Sequence, residues 1–270
     1  MKMSFKELLC CPLCKGNLTG ESSRGPGGTG IDRLICHSCM KSFENRVGYL
    51  DFLNGDGLVF RSRRERLVRS VYAKVYTPVT NFMFLFCGGA KKAREEVMSR
   101  LRVSEGAYVL ETGMGYGENF LWLNRKANNL RLFGVDIQKE MMANCTRNLL
   151  DWKISAEIFR ANAQALPFRD GVFDAVFHLG AINLFQDKKK AIEEMIRVSK
   201  PGTHIVIADE TEKAGRMFNW FTGPAERIVP PVDLVPAEMM NIAMETIWRG
   251  YGYVIEFDTP QRPETLVTNN

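Results

Sequence analysis

The central part of the chain alternates short apolar runs with polar stretches of helical periodicity. Five apolar runs predict strands, at residues 108–111, 132–137, 159–168 (running into a loop), 173–180 and 204–209. Residues 191–198 predict a helix that is ended by Lys200, Pro201 and Gly202. Since strands and helices alternate over short links, the pattern predicts an α/β fold with a parallel sheet covered on both faces.

The segment after the fifth predicted strand, residues 211–250, is expected to carry specificity for the second substrate. A helix is predicted around its recurring apolar residues Met239, Met240, Ile242, Met244 and Ile247. Residues 253–257 predict a final edge strand, antiparallel to its neighbour, and Pro260 and Pro263 then end regular structure.

A glycine turn follows the first predicted strand. That strand ends at Glu111, and Gly113, Gly115 and Gly117 stand at alternate positions before a predicted helix. Glycine lets the backbone approach a ligand closely, and the helix N-terminus offers unpaired N–H groups. The spacing differs from the dinucleotide fingerprint because Gly117 falls one residue early. A pyrophosphate would be repelled by Glu111, whereas a ligand with a cationic centre would be favoured.

Further polar residues end the next predicted strands. Asp136 lies 19 residues beyond Gly117, where an acid is placed to accept hydrogen bonds from both ribose hydroxyls. Asn162 could accept a hydrogen bond from an adenine amine, and His178 ends the fourth strand. The carboxyl ends of parallel strands share one edge of the sheet, so these residues are expected to meet there.

From about residue 97 to 209, these motifs resemble the class I S-adenosylmethionine-dependent methyltransferases. Residues 165–174 and 194–202 are most similar to the quinone-biosynthesis-like, small-molecule branch. The resemblance implies a doubly wound, mostly parallel, seven-stranded Rossmann-like sheet. It also implies that the glycine turn holds the methionine part of the cofactor, that Asp136 holds the ribose and that Asn162 and Ala163 flank the adenine. The predicted cofactor-binding residues are Glu111, Gly113, Gly115, Gly117, Asp136, Ile137, Met141, Asn162, Ala163 and His178.

The predicted reaction is in-line displacement of an activated methyl group onto a small, apolar or aromatic acceptor. Alignment of donor and acceptor supplies most of the catalysis, about 7–11 kcal/mol. A general base is needed only if the acceptor must lose a proton. His178 is the candidate base, with a pocket-lining or backbone-bonded histidine as the alternative, and Asn183 is a candidate for orienting the acceptor.

Four N-terminal cysteines predict a zinc site. Cys11 and Cys14 form one C-x-x-C pair, and Cys36 and Cys39 form a second. Two such pairs are typical of a closed, structural Zn(Cys)4 site, and the metal would stabilise a unit too small to fold on its own core. Disulfides, the alternative, require an oxidising compartment, and no signal peptide is seen at the start. The segment resembles zinc ribbons of the methyltransferase-activator type and a ribbon fused to some ribosomal-RNA guanine methyltransferases.

Length and composition fit one main domain and a small one. The chain has 270 residues, 45% of them hydrophobic, with a formal net charge of +5. We predict a zinc ribbon at 1–54, a basic and aromatic helical linker and lid at 55–96, and a methyltransferase domain at 97–270. No apolar run approaches the ~20 residues that span a membrane, and the seven cysteines favour the reducing cytoplasm.

The linker is ambiguous. Residues 60–74 predict a basic amphipathic helix, and an aromatic cluster follows at 82–86. Three interpretations compete: a lid over the cofactor with a solvated basic face, a peripheral membrane contact near a lipophilic substrate, or a contact with nucleic-acid phosphates.

Two other functions stay open. The ribbon and the basic helix also suit a methyltransferase of ribosomal or transfer RNA that uses the ribbon to contact RNA, for which binding should be salt-sensitive. A non-catalytic scaffold that binds a protein partner through the ribbon would be favoured by absence of cofactor binding.

Overall fold

The computed structural model describes residues 5–21, 32–53, 88–215 and 228–261. The helix predicted at 60–74 and the aromatic cluster at 82–86 lie outside these residues. Within the described ranges, no helix combines the length and the apolar character that crossing a membrane requires.

Four short strands form the N-terminal part: β1 (Leu18–Glu21), β2 (Arg33–Cys36), β3 (Ser42–Arg46) and β4 (Tyr49–Asp51). They pair antiparallel in sequence order. The rest of the described chain contains the helices α1 (Ala90–Met98), α2 (Glu118–Lys126), α3 (Lys139–Trp152) and α4 (Lys188–Val198), and the strands β5 (Tyr108–Thr112), β6 (Arg131–Asp136), β7 (Ala156–Arg160), β8 (Phe173–Leu179), β9 (Ser199–Glu210), β10 (Met240–Ile247) and β11 (Gly252–Asp258).

All these strands join one sheet in the order β1-β2-β3-β4-β7-β6-β5-β8-β9-β11-β10. The five strands β7, β6, β5, β8 and β9 are parallel, as the alternating pattern predicts. A separate seven-stranded sheet is not confirmed, since the described sheet has eleven strands and five of its ten pairings are antiparallel. The seven strands β5–β11 do pair mostly in parallel, in four of their six pairings. The extra strands join because β4 pairs in parallel with β7, a contact between distant segments that no local pattern reveals.

Residues 240–247 form strand β10 rather than the predicted helix. Met240, Ile242 and Met244 recur at every second position, which is the strand period, and all three are exposed. Antiparallel pairing with β11 satisfies the backbone on one side of β10. Strand β11 is antiparallel as predicted, but it lies inside the sheet between β9 and β10, so β10 is the edge strand.

Apolar side chains cover both faces of the sheet. Along β5, Val109 and Leu110 point to opposite faces and enter two different buried clusters. On one face α4 contributes Ile192 and Met195, and on the other α2 contributes Phe120. This two-faced burial explains the continuous apolar runs of the parallel strands and confirms a Rossmann-like α/β fold, whose carboxyl strand ends are left for binding.

Candidate active site

The glycine turn joins β5 to α2 and needs glycine at three positions. Gly113, Gly115 and Gly117 all have positive φ angles, of 70°, 55° and 74°. That region is strained for residues with a Cβ. A Cβ on Gly117 would also lie 2.7 Å from the Cys145 Sγ. The N–H of Gly113 donates to the carbonyl of Val135, at 2.7 Å, which fixes the turn against β6.

Glu111 is completely buried at the carboxyl end of β5. Its Oε1 accepts a hydrogen bond of 2.5 Å from the Asn119 side chain, whereas Oε2 has no hydrogen-bond partner among the described residues. Burial raises the pKa of Glu111 to about 8, against the smaller opposing effects of Asn119 and Arg94. A buried carboxylate oxygen without a partner is costly, and a cationic group beside it would remove that cost.

Arg94 of α1 supports this carboxyl group through Asn119. Its Nη1 donates to the Asn119 Oδ1 at 2.7 Å, and its Nη2 pairs with Glu118. This orients the Asn119 amide so that its Nδ2 points to Glu111. Sequence reasoning missed Arg94, because the residue belongs to the stretch predicted as linker and contacts a residue 25 positions away.

Asp136 is buried at the carboxyl end of β6, and both its oxygens accept hydrogen bonds from the backbone. Oδ2 accepts from the N–H of Gly115 at 2.9 Å, and Oδ1 accepts from the N–H of Gln138 at 2.8 Å. Burial raises the pKa of Asp136, and these N–H groups oppose the shift. Each carboxylate oxygen has a second lone pair, so Asp136 can still accept from a ligand hydroxyl.

The predicted adenine residues lie beside Asp136. The N–H of Ala161 donates to the Asp136 carbonyl at 3.0 Å, which brings the loop after β7 next to the end of β6. In that loop Ala163 is buried, and the Asn162 Oδ1 already accepts from the N–H of Gln164 at 2.9 Å. Of the other two predicted cofactor residues, Ile137 directly follows β6 and Met141 is buried in α3.

His178 is buried, and the protein occupies both of its ring nitrogens. The N–H of Ala181 donates to Nε2 at 2.9 Å, so Nε2 must be unprotonated and Nδ1 carries the proton. Nδ1 then donates to the Thr112 carbonyl at 2.7 Å. Burial lowers the pKa of His178 to about 4. This geometry favours the backbone-bonded alternative over the general base.

A cleft of about 430 Å³ opens beyond the carboxyl ends of β8 and β9. Its lining residues are Asn183, Phe185, Gln186, Asp187, Lys188, Lys189, Ile228 and Leu234. Asn183 is held in place because its Nδ2 donates to the Glu210 carbonyl and its Oδ1 accepts from the Tyr253 hydroxyl. Asp209, whose pKa burial raises to about 6, accepts from the N–H of Asn183 at 2.8 Å.

The four predicted metal ligands converge. The sulfur atoms of Cys11, Cys14, Cys36 and Cys39 all lie within 4.8 Å of one another. Ligands bound tetrahedrally at about 2.3 Å lie roughly 3.8 Å apart, so the cluster fits a single zinc ion. Cys10 is separate, since its thiol donates to the Phe168 carbonyl at 3.0 Å, and the His37 ring contacts Thr19.

Known proteins match the segment that contains the glycine turn and most of the parallel strands. Residues 110–207 match the family described as "Methyltransferase domain". A demethylmenaquinone methyltransferase of Thermus thermophilus is 33% identical over 101 residues, which are 37% of this chain and 46% of that protein. A ubiquinone/menaquinone biosynthesis C-methyltransferase of Geobacter sulfurreducens is 28% identical over 158 residues, 56% of this chain and 60% of that protein. The chain thus spans about half the length of these relatives.

Solved structures of low sequence identity share the fold. The complex between the Haloferax volcanii Trm112 methyltransferase activator and a methyltransferase contains a chain that aligns with a TM-score of 0.54 at 19% identity, over 63% of this chain and 89% of that one. The family match and the relatives confirm the resemblance seen in the motifs. This chain therefore contains a methyltransferase domain of the class I S-adenosylmethionine-dependent family.

Proposed function

We propose that this protein transfers a methyl group from S-adenosylmethionine to a small, apolar or aromatic acceptor. The observation that carries the cofactor assignment is the Glu111 Oε2, which is buried beside the glycine turn without a partner in the part of the chain that the structure describes. A cationic ammonium group beside this oxygen would favour the ionised carboxylate and pair with it, and S-adenosylmethionine has such a group on its methionine part. The residues present therefore fit this cofactor.

The remaining polar groups are assigned by their positions. Asp136 accepts hydrogen bonds from the ribose hydroxyls through lone pairs that the backbone leaves available. Asn162 and Ala163 flank the adenine. When bound, the cofactor supplies an activated sulfonium methyl. The protein's own contribution is to hold donor and acceptor in line, and we assign His178 to fixing the end of β8 rather than to proton transfer.

The cleft offers a place for an acceptor. It lies at the carboxyl ends of the parallel strands, where ligands of such sheets bind. Its lining combines three apolar side chains (Phe185, Ile228 and Leu234) with five polar or charged ones (Asn183, Gln186, Asp187, Lys188 and Lys189). Asn183 offers a fixed amide for orienting an acceptor. The relatives named above are quinone-pathway methyltransferases, so demethylated quinols are the first acceptors to test.

Zinc is proposed as a structural ion. Its four thiolates would close the coordination sphere and leave no open position for a substrate. The cysteine cluster therefore has no part in methyl transfer. No observation in the described residues favours RNA or membrane contact, so both enter only as outcomes of the test.

The test combines binding and turnover. Titration calorimetry of the zinc-loaded chain with S-adenosylmethionine should show micromolar binding, which Asp136→Ala should abolish. Transfer of a labelled methyl group is then measured with demethylated quinols and with ribosomal and transfer RNA. Absence of cofactor binding would refute the proposal and favour the scaffold. Methylation of RNA alone would refute the acceptor class, and methylation of a quinol that depends on Asp136 would support the proposal.

A further inference from the structure

The N-terminal ribbon contacts the domain on both sides of the loop that follows β7. This loop carries Asn162 and Ala163, the residues assigned to the adenine. It is the part of the cofactor site on the ribbon side of the sheet, since, among the described strands of the domain, β4 pairs with β7 alone. The ribbon contacts are therefore expected to affect the binding of adenosine rather than the ammonium contact at Glu111.

The first contact is a buried ion pair at the start of the loop. The Asp51 carboxylate of β4 accepts from the Arg160 Nη1 at 3.0 and 3.3 Å, and both side chains are about 95% buried. The Arg160 Nε donates to the Ile137 carbonyl at 3.2 Å. Ile137 directly follows Asp136 at the end of β6. The ion pair with Asp51 therefore fixes the Arg160 guanidinium, which in turn holds the end of β6 next to the residue assigned to the ribose.

The second contact is at the far end of the loop. The Lys15 Nζ donates to the Leu166 carbonyl at 3.1 Å and pairs with the Glu194 carboxylate at 2.9 Å. The same Glu194 oxygen accepts from the N–H of Leu166 at 2.7 Å. One residue further, the N–H of Cys10 donates to the Pro167 carbonyl at 3.0 Å. The ribbon thus contacts the backbone of the loop's end directly.

The ammonium contact at Glu111 has different supports. Glu111 is held by Asn119 of α2 and Arg94 of α1. No ribbon residue takes part in these contacts within the described chain. A perturbation of the ribbon contacts should therefore change the binding of the adenosine part and leave the ammonium contact intact.

We propose that Asp51 and Lys15 are positioning residues through which the ribbon shapes the adenosine half of the cofactor site. This inference rests on the proposed function, because it assumes that the loop after β7 receives the adenine. Asp51 acts through Arg160 on the end of β6, and Lys15 acts through the Leu166 backbone. Neither residue contacts the cofactor.

The test compares two ligands that share the adenosine part. 5′-Methylthioadenosine lacks the ammonium and carboxylate of S-adenosylmethionine. Asp51→Asn keeps an acceptor for the Leu53 N–H but removes the charge that pairs with Arg160. Lys15→Met removes the second contact at a half-exposed side chain, so it remains informative if Asp51→Asn does not fold. Each variant should bind both ligands about tenfold more weakly, by the same factor.

Two controls separate this effect from others. Glu111→Gln should weaken binding of S-adenosylmethionine alone. Arg100→Met breaks an ion pair with Glu256 on the other side of the domain and should lower the melting temperature without changing either affinity. Folded ribbon variants that bind both ligands within twofold of the unaltered chain would overturn the inference. An unaltered chain that binds neither ligand would instead refute the proposed function, and with it this inference.

Discussion

Replacing Glu111 by glutamine should stabilise the ligand-free protein. Glutamine has the same shape, and its Oε1 can accept the bond from Asn119 that Glu111 accepts at 2.5 Å. Burial raises the pKa of the Glu111 carboxyl from 4.5 to about 8. Between these values the folded state holds a proton that the unfolded state releases. Stability therefore falls as the pH rises through this window, and glutamine removes that dependence.

The magnitude follows from the two pKa values. A pH of 7 lies about 2.5 units above the pKa of the unfolded carboxyl, whereas the folded carboxyl is mostly protonated at this pH. At 1.36 kcal/mol per unit, glutamine should therefore raise the free energy of unfolding by about 3 kcal/mol. The same arithmetic gives under about 1 kcal/mol at pH 5 and about 4–5 kcal/mol at pH 8.5. Urea denaturation of both proteins at these three pH values measures the difference.

The same substitution should weaken cofactor binding. In the unaltered chain an ammonium group beside Glu111 favours the ionised carboxylate, so binding at pH 6–7 releases nearly one proton. The affinity should rise about tenfold from pH 6 to pH 7, where the ligand's own amine stays charged. Glu111→Gln should lose about ten- to a hundredfold in affinity, which is typical of a charged hydrogen bond, and release no proton. The stability gain of Glu111→Gln over the unaltered chain should be larger at pH 8.5 than at pH 5, and an equal gain at both pH values would refute this reasoning. A cofactor affinity that does not change between pH 6 and pH 7 would also refute it.

Three further predictions concern the turn, the histidine and the ribbon. Gly117→Ala should lower the free energy of unfolding, measured by urea denaturation, by roughly 2–4 kcal/mol, because the new Cβ would lie 2.7 Å from the Cys145 Sγ. Gly106→Ala is the control: Gly106 has the same φ of 74° but nothing within 4 Å of a Cβ, so the substitution should cost only the roughly 1–2 kcal/mol of a left-handed backbone. Equal costs would contradict the steric argument. His178, whose pKa burial lowers to about 4, should remain neutral with its proton on Nδ1 at pH 5.5 in ¹⁵N NMR, and stability should fall as the pH drops from 6.5 towards 4; a ring that titrates near 6.5 would show the assignment to be wrong. Elemental analysis should find about one equivalent of zinc per unaltered chain and less in Cys11→Ser. An unchanged zinc content in the variant would exclude Cys11 as a ligand.

Local patterns explain most of what the sequence predicts well. The parallel strands are buried on both faces, so each is a continuous apolar run, and the three glycines occupy positions whose φ angles exclude most other residues. Contacts between distant segments have no such signature. The pairing of β4 with β7 joins residues 109 positions apart, and the support of Glu111 by Arg94 passes through Asn119. Neither contact leaves a period or spacing in the sequence.

The remaining differences between the sequence-based expectations and the structure arise where hydrogen bonds set the environment of a residue. His178 does lie at the end of the fourth parallel strand, β8. Its Nε2, however, accepts from the N–H of Ala181, three residues further on, and therefore has no lone pair left to take a proton from a methyl acceptor. Residues 240–247 are apolar enough for a helix, yet their period of two and the partner strand β11 decide for a strand. In both cases hydrogen bonding outside the pattern of apolar residues determines the outcome.

The two buried carboxyl groups of the site, Asp136 and Glu111, differ in how the protein satisfies their oxygens. This difference predicts which of them distinguishes S-adenosylmethionine from other adenosine compounds. Asp136 receives N–H groups from Gly115 and Gln138, so its orientation is set before a ligand arrives. Glu111 has one oxygen that accepts from Asn119 and one that no described residue contacts with a hydrogen bond. A ligand with adenosine alone therefore meets a preformed half-site and gains nothing at Glu111. Only a ligand that adds a cation removes the cost of the unpartnered oxygen, so the charge at Glu111 should discriminate S-adenosylmethionine from neutral adenosine compounds.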